Sequence, residues 1–463
     1  MDLAALSEPA QQLAQPLQLT PDQDAALRAI TAFAQGTHGA RQMTLEGYAG
    51  TGKTTLVSQL LRNLGGSIDI AVAAPTNKAV AVLREKIAAA GADHPSIEYG
   101  SIHSFLGLRL KEREDGRHEC LPEGSCIVHK YDLLIVDECS MLGRDLYSQL
   151  LLAIARSDAR VLFVGDPAQL NPVGDPNESP TFKEVQHRAV LTTVVRQARD
   201  NPIIRVSMAI RASIERMARM TPAALMEACP PAPANALFTA GGHNTTYNWA
   251  LSDIMEGQNT RILAFRNATV QRYNAEIHHA IHGSATPFAI GQTVMANEAH
   301  DEARDRDGLK KIHLHNSEEL EVLGIEREAH PRHPGIDSWK LTLKRDSGEI
   351  ATCYIADNPR QLQSEISQCF NEAARLKAEL QNTRDTEKDR RRKDLIGRGW
   401  GLRNDFAGIR HTYAMTVHKS QGSTFFTAIV DLSDLNAIRD DQEFNRALYV
   451  ATTRPSERLA FVA

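Results

Sequence analysis

Gly47-Tyr48-Ala49-Gly50-Thr51-Gly52-Lys53-Thr54 meets every fixed position of the pattern G-x-x-x-x-G-K-[ST]. It stands between a short strand-like run, 43–46 (MTLE), and a helical stretch, 54–64. Strand, glycine-rich turn and helix start are the context in which this pattern holds phosphate. The glycines let backbone N–H groups curl around phosphate oxygens, and the helix end adds partial positive charge. Lys53 is placed to reach β- and γ-phosphates, and the Thr54 hydroxyl to ligate magnesium. Gly47, Gly50, Thr51, Gly52, Lys53, Thr54 and Thr55 are the candidate nucleotide-binding residues, with ATP and Mg2+ as cofactors.

Working outward, three apolar runs read as buried strands: 69–74 (DIAVAA), 133–137 (LLIVD) and 161–165 (VLFVG). A helical stretch, 78–90, lies between the first two. Strands alternating with helices imply a parallel α/β sheet, which binds ligands beyond the carboxyl ends of its strands. Asp137-Glu138 ends one such strand. Asp137 suits magnesium held through water, and Glu138 suits a general base for the attacking water. Gln169, in 165–170 (GDPAQL), follows the next strand and can bond a γ-phosphate or that water without adding charge. The pattern recurs in 261–265, 427–432 and 458–462, with helical stretches 269–281 and 441–449, so a second α/β unit is expected. It offers Arg196 and Arg454 as cations for the transition state.

Two insertions interrupt this scheme. The first, 93–130, contains Asp115-Gly116 between strand-like runs, a hairpin signal. Lys111, Arg113 and Arg117 surround its tip, and it is the candidate wedge for splitting a duplex. The second, 287–404, begins with short strand-like runs that suggest a small β-barrel and continues into a charged helical segment. Within that segment, 384–393 carries six basic and three acidic residues, which reads as a solvated helix face or a nucleic-acid contact. The expected domains are a flexible lead, 1–18; a first unit, 19–92 with 131–190; and a second unit, 191–286 with 405–463.

The 463 residues hold 52 Lys plus Arg against 57 Asp plus Glu, a formal net charge of −5. This excludes a globally basic nucleic-acid coat but not a local basic groove. Six cysteines without a C-x-x-C pair argue against a zinc site or a disulfide framework and for free thiols in a reducing cytosol. Apolar stretches fall far short of the ~20 residues of a membrane span. The N-terminal residues lack the basic start and apolar run of a signal peptide.

Taken in order, these motifs resemble those of superfamily 1 helicases, most closely the Dda-like and RecD-like 5′-to-3′ DNA helicases. Leu19-Thr20-Pro21-Asp22-Gln23 resembles the Q motif, in which Gln23 would read adenine. Residues 47–54 resemble motif I, 74–80 (APTNKAV) motif Ia, and 101–106 (SIHSFL) the T-I-H-S-x-L element, with Ser101 in place of threonine. Residues 136–141 (VDECSM) resemble motif II, with Cys139 where relatives carry alanine, glutamine or valine. Residues 165–170 resemble motif III, 191–197 stand where motif IV belongs, and 416–424 (TVHKSQGST) and 445–454 (NRALYVATTR) resemble motifs V and VI.

The resemblance implies two RecA-like parallel-sheet P-loop domains with ATP between them and a single strand across both. A β-hairpin pin would be inserted in the first domain, and an SH3-like barrel with a helical tower in the second. It implies Gly422 at the nucleotide, and Pro75, Thr76, Asn77, Lys78, Ser101, His103, Phe105, Thr416, His418 and Ser420 along the strand. It further implies single-stranded DNA and single/double-strand junctions as partners, replication or recombination proteins beside them, and a cytoplasmic, nucleoid-associated protein of prokaryotic or phage type. No membrane is involved, and one chain supplies both halves of the ATP site, so a monomer suffices. The ATPase motifs do not separate DNA from RNA, so an RNA helicase of the same superfamily is the alternative. A nucleotide-dependent binding switch is a third reading, disfavoured by the intact hydrolytic set.

Overall fold

The computed structural model describes residues 18–37, 39–112, 118–122, 124–172, 175, 177–194, 201–229, 236–380 and 385–463, with 109–112 and 118–121 described in their backbone alone. The first eight strands are β1 (Gln42–Gly47), β2 (Ile70–Ala74), β3 (Ile97–Ser101), β4 (Leu108–Glu112), β5 (His118–Pro122), β6 (Leu133–Val136), β7 (Arg160–Gly165) and β8 (Arg188–Leu191). Six of them form a sheet in the order β3-β2-β6-β7-β1-β8, parallel throughout. Helices cover both faces, so β2 and β6 are buried along their whole length, and their sequences are continuous apolar runs. Val72, Ile135 and Leu162 belong to one core; the alternate residues Ala71, Leu134 and Phe163 belong to the core on the other face.

The chain continues through β9 (Ala236–Thr239) and β10 (Thr260–Ala264). It then enters β11 (Thr293–Ala296), β12 (His300–Asp305), β13 (Lys311–Leu314), β14 (Glu319–Arg327), β15 (Ser338–Arg345), β16 (Ile350–Ala356) and β17 (Ile409–His411), and returns to β18 (Ala414–Thr416), β19 (Phe425–Asp431) and β20 (Pro455–Val462). A second parallel sheet has the order β18-β10-β19-β20-β9. The molecule is thus α/β, with two parallel sheets of RecA-like type.

The inserted sheet departs from expectation. Its order, β13-β12-β16-β15-β14-β11-β17, is antiparallel, and among the described residues its edge strands β13 and β17 do not pair with each other. It is a curled half-barrel rather than a closed barrel. It also reaches past residue 404, since β17 pairs with β11. In the first insertion, β3 pairs in parallel with β2, so the segment expected to leave the sheet at residue 93 first adds an edge strand to it. The antiparallel pair β4–β5 follows. Asp115-Gly116, Arg113 and Arg117 lie outside the described residues.

Helices Pro359–Leu380 and Thr386–Asp405 pack side by side through residues such as Ile366, Cys369 and Leu402. Trp400 meets Phe370 edge-on within this pair rather than standing free. Among the described residues of the basic run, Lys388 pairs with Glu379, Arg391 with Glu372, and Arg392 and Lys393 with Asp389.

Close packing explains Cys139. The thiol is buried against Gly165, where a Cβ would stand 2.6 Å from its Sγ and 3.1 Å from Phe182. Gly165→Ala is therefore expected to destabilise the fold by about 1–3 kcal/mol. Adding Cys139→Ala should restore part of the loss, as read from urea unfolding midpoints; equal midpoints for the single and double variants would show that the sulfur is not the obstacle.

Candidate nucleotide site and nucleic-acid face

The phosphate loop leaves β1 at Gly47 and enters helix Lys53–Leu64. Gly50 and Gly52 take φ of 79° and 87°, a left-handed backbone that favours glycine. Thr51 Oγ1 donates to the Tyr48 carbonyl at 2.8 Å. Lys53 Nζ donates to the carbonyls of Gly47 and Tyr48 at 2.5 and 3.2 Å, so the loop itself holds the ammonium over its mouth. Thr54 is half-buried and Thr55 exposed at the helix start. Gln23 completes a capping box with Thr20, and its Nε2 donates to the Thr51 carbonyl at 2.8 Å. The amide assigned to adenine by resemblance thus also braces the loop. Asp22 accepts from the backbone N–H groups of Thr192 and Thr193, fixing this first helix to the end of β8.

Asp137 and Glu138 emerge from β6, half-buried. Asp137 accepts from the Glu138 N–H at 2.9 Å. Burial, then the charge of Glu138, pushes its carboxyl up to about 6, with Lys53 opposing. A cation relieves that cost, and the oxygen donors of Asp137 and Thr54 suit magnesium. Glu138 itself sits at φ 51°, a left-handed conformation rare for a non-glycine residue and typical of strained functional positions. Gln169 is buried, and its Oε1 accepts at long range from Ser140 Oγ (3.4 Å) and Gln421 Nε2 (3.5 Å).

The second half closes over this site. Tyr449, on helix Asp441–Thr452, accepts from the Ala49 N–H at 3.0 Å and donates to the Asp166 carboxylate at 2.7 Å. Arg211 stacks its guanidinium 4.0 Å from the Tyr48 ring centroid. Arg446 donates to the carbonyls of Pro167 and Gln169 and pairs with Glu178. Arg454 is buried and donates to Val450 O (3.1 Å) and Thr453 Oγ1 (2.9 Å). Burial lowers its pKa, and the negative charges of Glu138 and Asp166 oppose the shift, so it lies within electrostatic reach of both. Arg196 falls outside the described residues. Arg446 and Tyr449 were missed as site residues: motif VI contains both, but their roles depend on which helix face meets the first sheet.

The expected strand-binding residues divide into two groups. Thr76, Ser101 and Thr416 N-cap the helices that follow their strands, accepting from Ala79, Ser104 and Lys419 N–H groups. Pro75, His103 and His418 are half-buried at those same strand ends, and Asn77 is exposed. Burial lowers the pKa of both histidines, favouring neutral imidazoles. Phe105 and Ser420 do not fit. Phe105 is fully buried, edge-on to Tyr131, and cannot stack on a base. Ser420 is fully buried, and its hydroxyl donates to the Val417 carbonyl. Lys78 is engaged with Glu319 of the half-barrel at 2.5 Å rather than open to phosphate, and Asn77 bonds His315 beside it. Gly422, at φ 75°, packs on Ala79, with a notional Cβ 3.3 Å away, which brings motif V against motif Ia.

Residues 18–222 match the AAA domain family, and residues 411–462 match the UvrD-like helicase C-terminal domain. The chain belongs to the superfamily 1B helicases. It is 25% identical to the ATP-dependent DNA helicase dda of Enterobacteria phage T4, over 89% of this chain and 92% of that protein. It is 36% identical to the ATP-dependent RecD2 DNA helicase of Deinococcus radiodurans, over 36% of this chain and 21% of that protein. Among solved structures, it shares the fold of a Pif1 helicase studied at forked double-stranded DNA, with a TM-score of 0.52, 19% identity, and coverage of 96% of this chain and 92% of that one. No described helix is long and apolar enough to cross a membrane.

Tyr449→Phe removes one oxygen that serves both halves of the helicase. Leaving the Ala49 N–H and Asp166 without that partner is expected to cost about 1–3 kcal/mol. A lowered urea midpoint with unchanged far-ultraviolet circular dichroism would show it; an unchanged midpoint would mean the link contributes nothing to stability.

Proposed function

We propose that the protein is an ATP-dependent DNA helicase that moves 5′-to-3′ along single-stranded DNA and separates duplex ahead of it. The observation that carries this reading is the seam itself. A complete phosphate loop and its acidic pair on one parallel sheet are met by Arg446, Tyr449 and Arg454 from the other. Similarity to the phage helicase over nearly the full length of both chains supports the same activity here. The limits proposed for the two units are those expected from the sequence, with β3 added to the first and β17 to the half-barrel.

In this reading, Lys53 leaves the Gly47 and Tyr48 carbonyls for the nucleotide phosphates. Thr54 and Asp137 would hold a magnesium ion, which would supply charge neutralisation at the phosphates. Glu138 takes the proton of the attacking water. Gln169 orients that water, and Arg454, with Arg196, stabilises charge in the transition state. Gln421 would link chemistry to movement: it touches Gln169, while His418, assigned to the strand by resemblance, belongs to the same turn. Loss of the γ-phosphate at Gln169 is thereby felt at the DNA grip, as a hinge between the sheets requires.

Steady-state ATP hydrolysis with and without single-stranded DNA tests the proposal. Strong stimulation is expected, and Glu138→Gln should lower the stimulated rate by about 100-fold or more. Turnover indifferent to DNA would overturn the DNA reading, and stimulation by single-stranded RNA alone would favour the RNA alternative.

A further inference from the structure

We propose that His330, His333 and Asp405 form a binding site for a divalent transition-metal cation of the zinc class, clamping the helical pair to the half-barrel. None of the three residues belongs to a nucleotide motif. His330 and His333 stand in the connection between β14 and β15, and Asp405 ends helix Thr386–Asp405. One ligand atom from each lies within 4.8 Å of the others. His333 Nε2 is already 2.6 Å from Asp405 Oδ2. A tetrahedral ion with bonds of about 2.1 Å sets its ligand atoms about 3.4 Å apart. The histidine–carboxylate pair must open by under an ångström and the remaining separations, at most 4.8 Å, close by up to about 1.4 Å, a change on the scale of ring and carboxylate rotations.

The surrounding backbone is fixed for this purpose. His330 and His333 form a β-bridge, and the His333 N–H donates to the His330 carbonyl at 3.0 Å. The two rings stack with centroids 5.1 Å apart and pack on Phe406, next to Asp405. Asp405 is 4% exposed, a depth at which a carboxylate requires a cationic partner. Arg332 meets its Oδ1 at 2.7 Å and also reaches Glu302, leaving Oδ2 toward the imidazoles. This is the arrangement of a ligating carboxylate oriented by an outer hydrogen-bond donor.

Two imidazoles and one carboxylate select a borderline ion such as Zn2+, Co2+ or Ni2+ over Mg2+ or Ca2+, which prefer oxygen throughout. Nearby His300 is buried, and its Nε2 has no hydrogen-bond partner among the described residues. Burial lowers its pKa to about 4, and it stands outside the three-residue cluster.

The test uses the full chain, stripped of metal with a chelator and titrated with Zn2+ against a chromogenic competitor. His330→Ala/His333→Ala is run in parallel, because the nucleotide site and other histidines also attract divalent ions. The wild type is expected to retain one equivalent more than the double variant. Zn2+ should raise its melting midpoint, a rise the variant lacks. Co2+ should give a visible absorption band only in the wild type. Should the double variant fail to fold, His333→Ala, altered at a half-buried ring, serves in its place. Equal zinc stoichiometry and equal melting shifts in folded wild type and variant would overturn the proposal.

Discussion

A buried guanidinium holds the two parallel sheets in register. Arg446 leaves a helix of the second sheet, donates to the Pro167 and Gln169 carbonyls at the end of β7, and pairs with Glu178. Burying that charge is costly without such partners, and breaking one side of such a pair typically costs about 3–5 kcal/mol. The same helix carries Tyr449 to Ala49 and Asp166, and the turn after it carries Arg454. Three residues of motif VI, two on this helix and one in the turn after it, therefore set where the phosphate loop, the acidic pair and Gln169 stand relative to the second half. Polar contacts suit a seam that must open and close, because their partners can be exchanged for water or phosphate without exposing an apolar core.

In the proposed reading, movement would follow from how few residues separate the candidate nucleotide site from the residues assigned to the strand. The segment 416–422 is capped by Thr416, presents His418, touches Gln169 through Gln421 and packs Gly422 on Ala79. A shift of one sheet against the other cannot leave this turn unchanged. Lys78 and Asn77, at the start of the helix that carries Ala79, are bonded to Glu319 and His315 of the half-barrel. The inserted sheet is thereby joined to the first unit as well as to its own. Engagement of a strand near residues 75–78 would compete with that ion pair.

Much of this was legible from residue order. The central strands are apolar along their whole length because both faces are covered, so DIAVAA, LLIVD and VLFVG announce themselves. The edge strands do not: β3 (IEYGS) and β8 (RAVL) mix polar and apolar residues because one side meets solvent. The phosphate loop and acidic pair are local in sequence and were read directly. Phe105 and Ser420 were misread because motif membership does not reveal which way a side chain points; each turns into the core beside a neighbour that does not. Arg446 lay inside a quoted motif, yet its role depends on a contact hundreds of residues away along the chain. The half-barrel was expected closed; alternation within short strands reports a two-sided sheet but not whether its edges meet.

Coupling between the seam and strand separation is tested most directly by unwinding assays on duplexes carrying a 5′ or a 3′ single-stranded tail. ATP-dependent displacement from the 5′-tailed duplex, with little from the 3′-tailed one, is the predicted result. DNA-stimulated ATP turnover without displacement from either substrate, or displacement from the 3′ tail alone, would contradict the account.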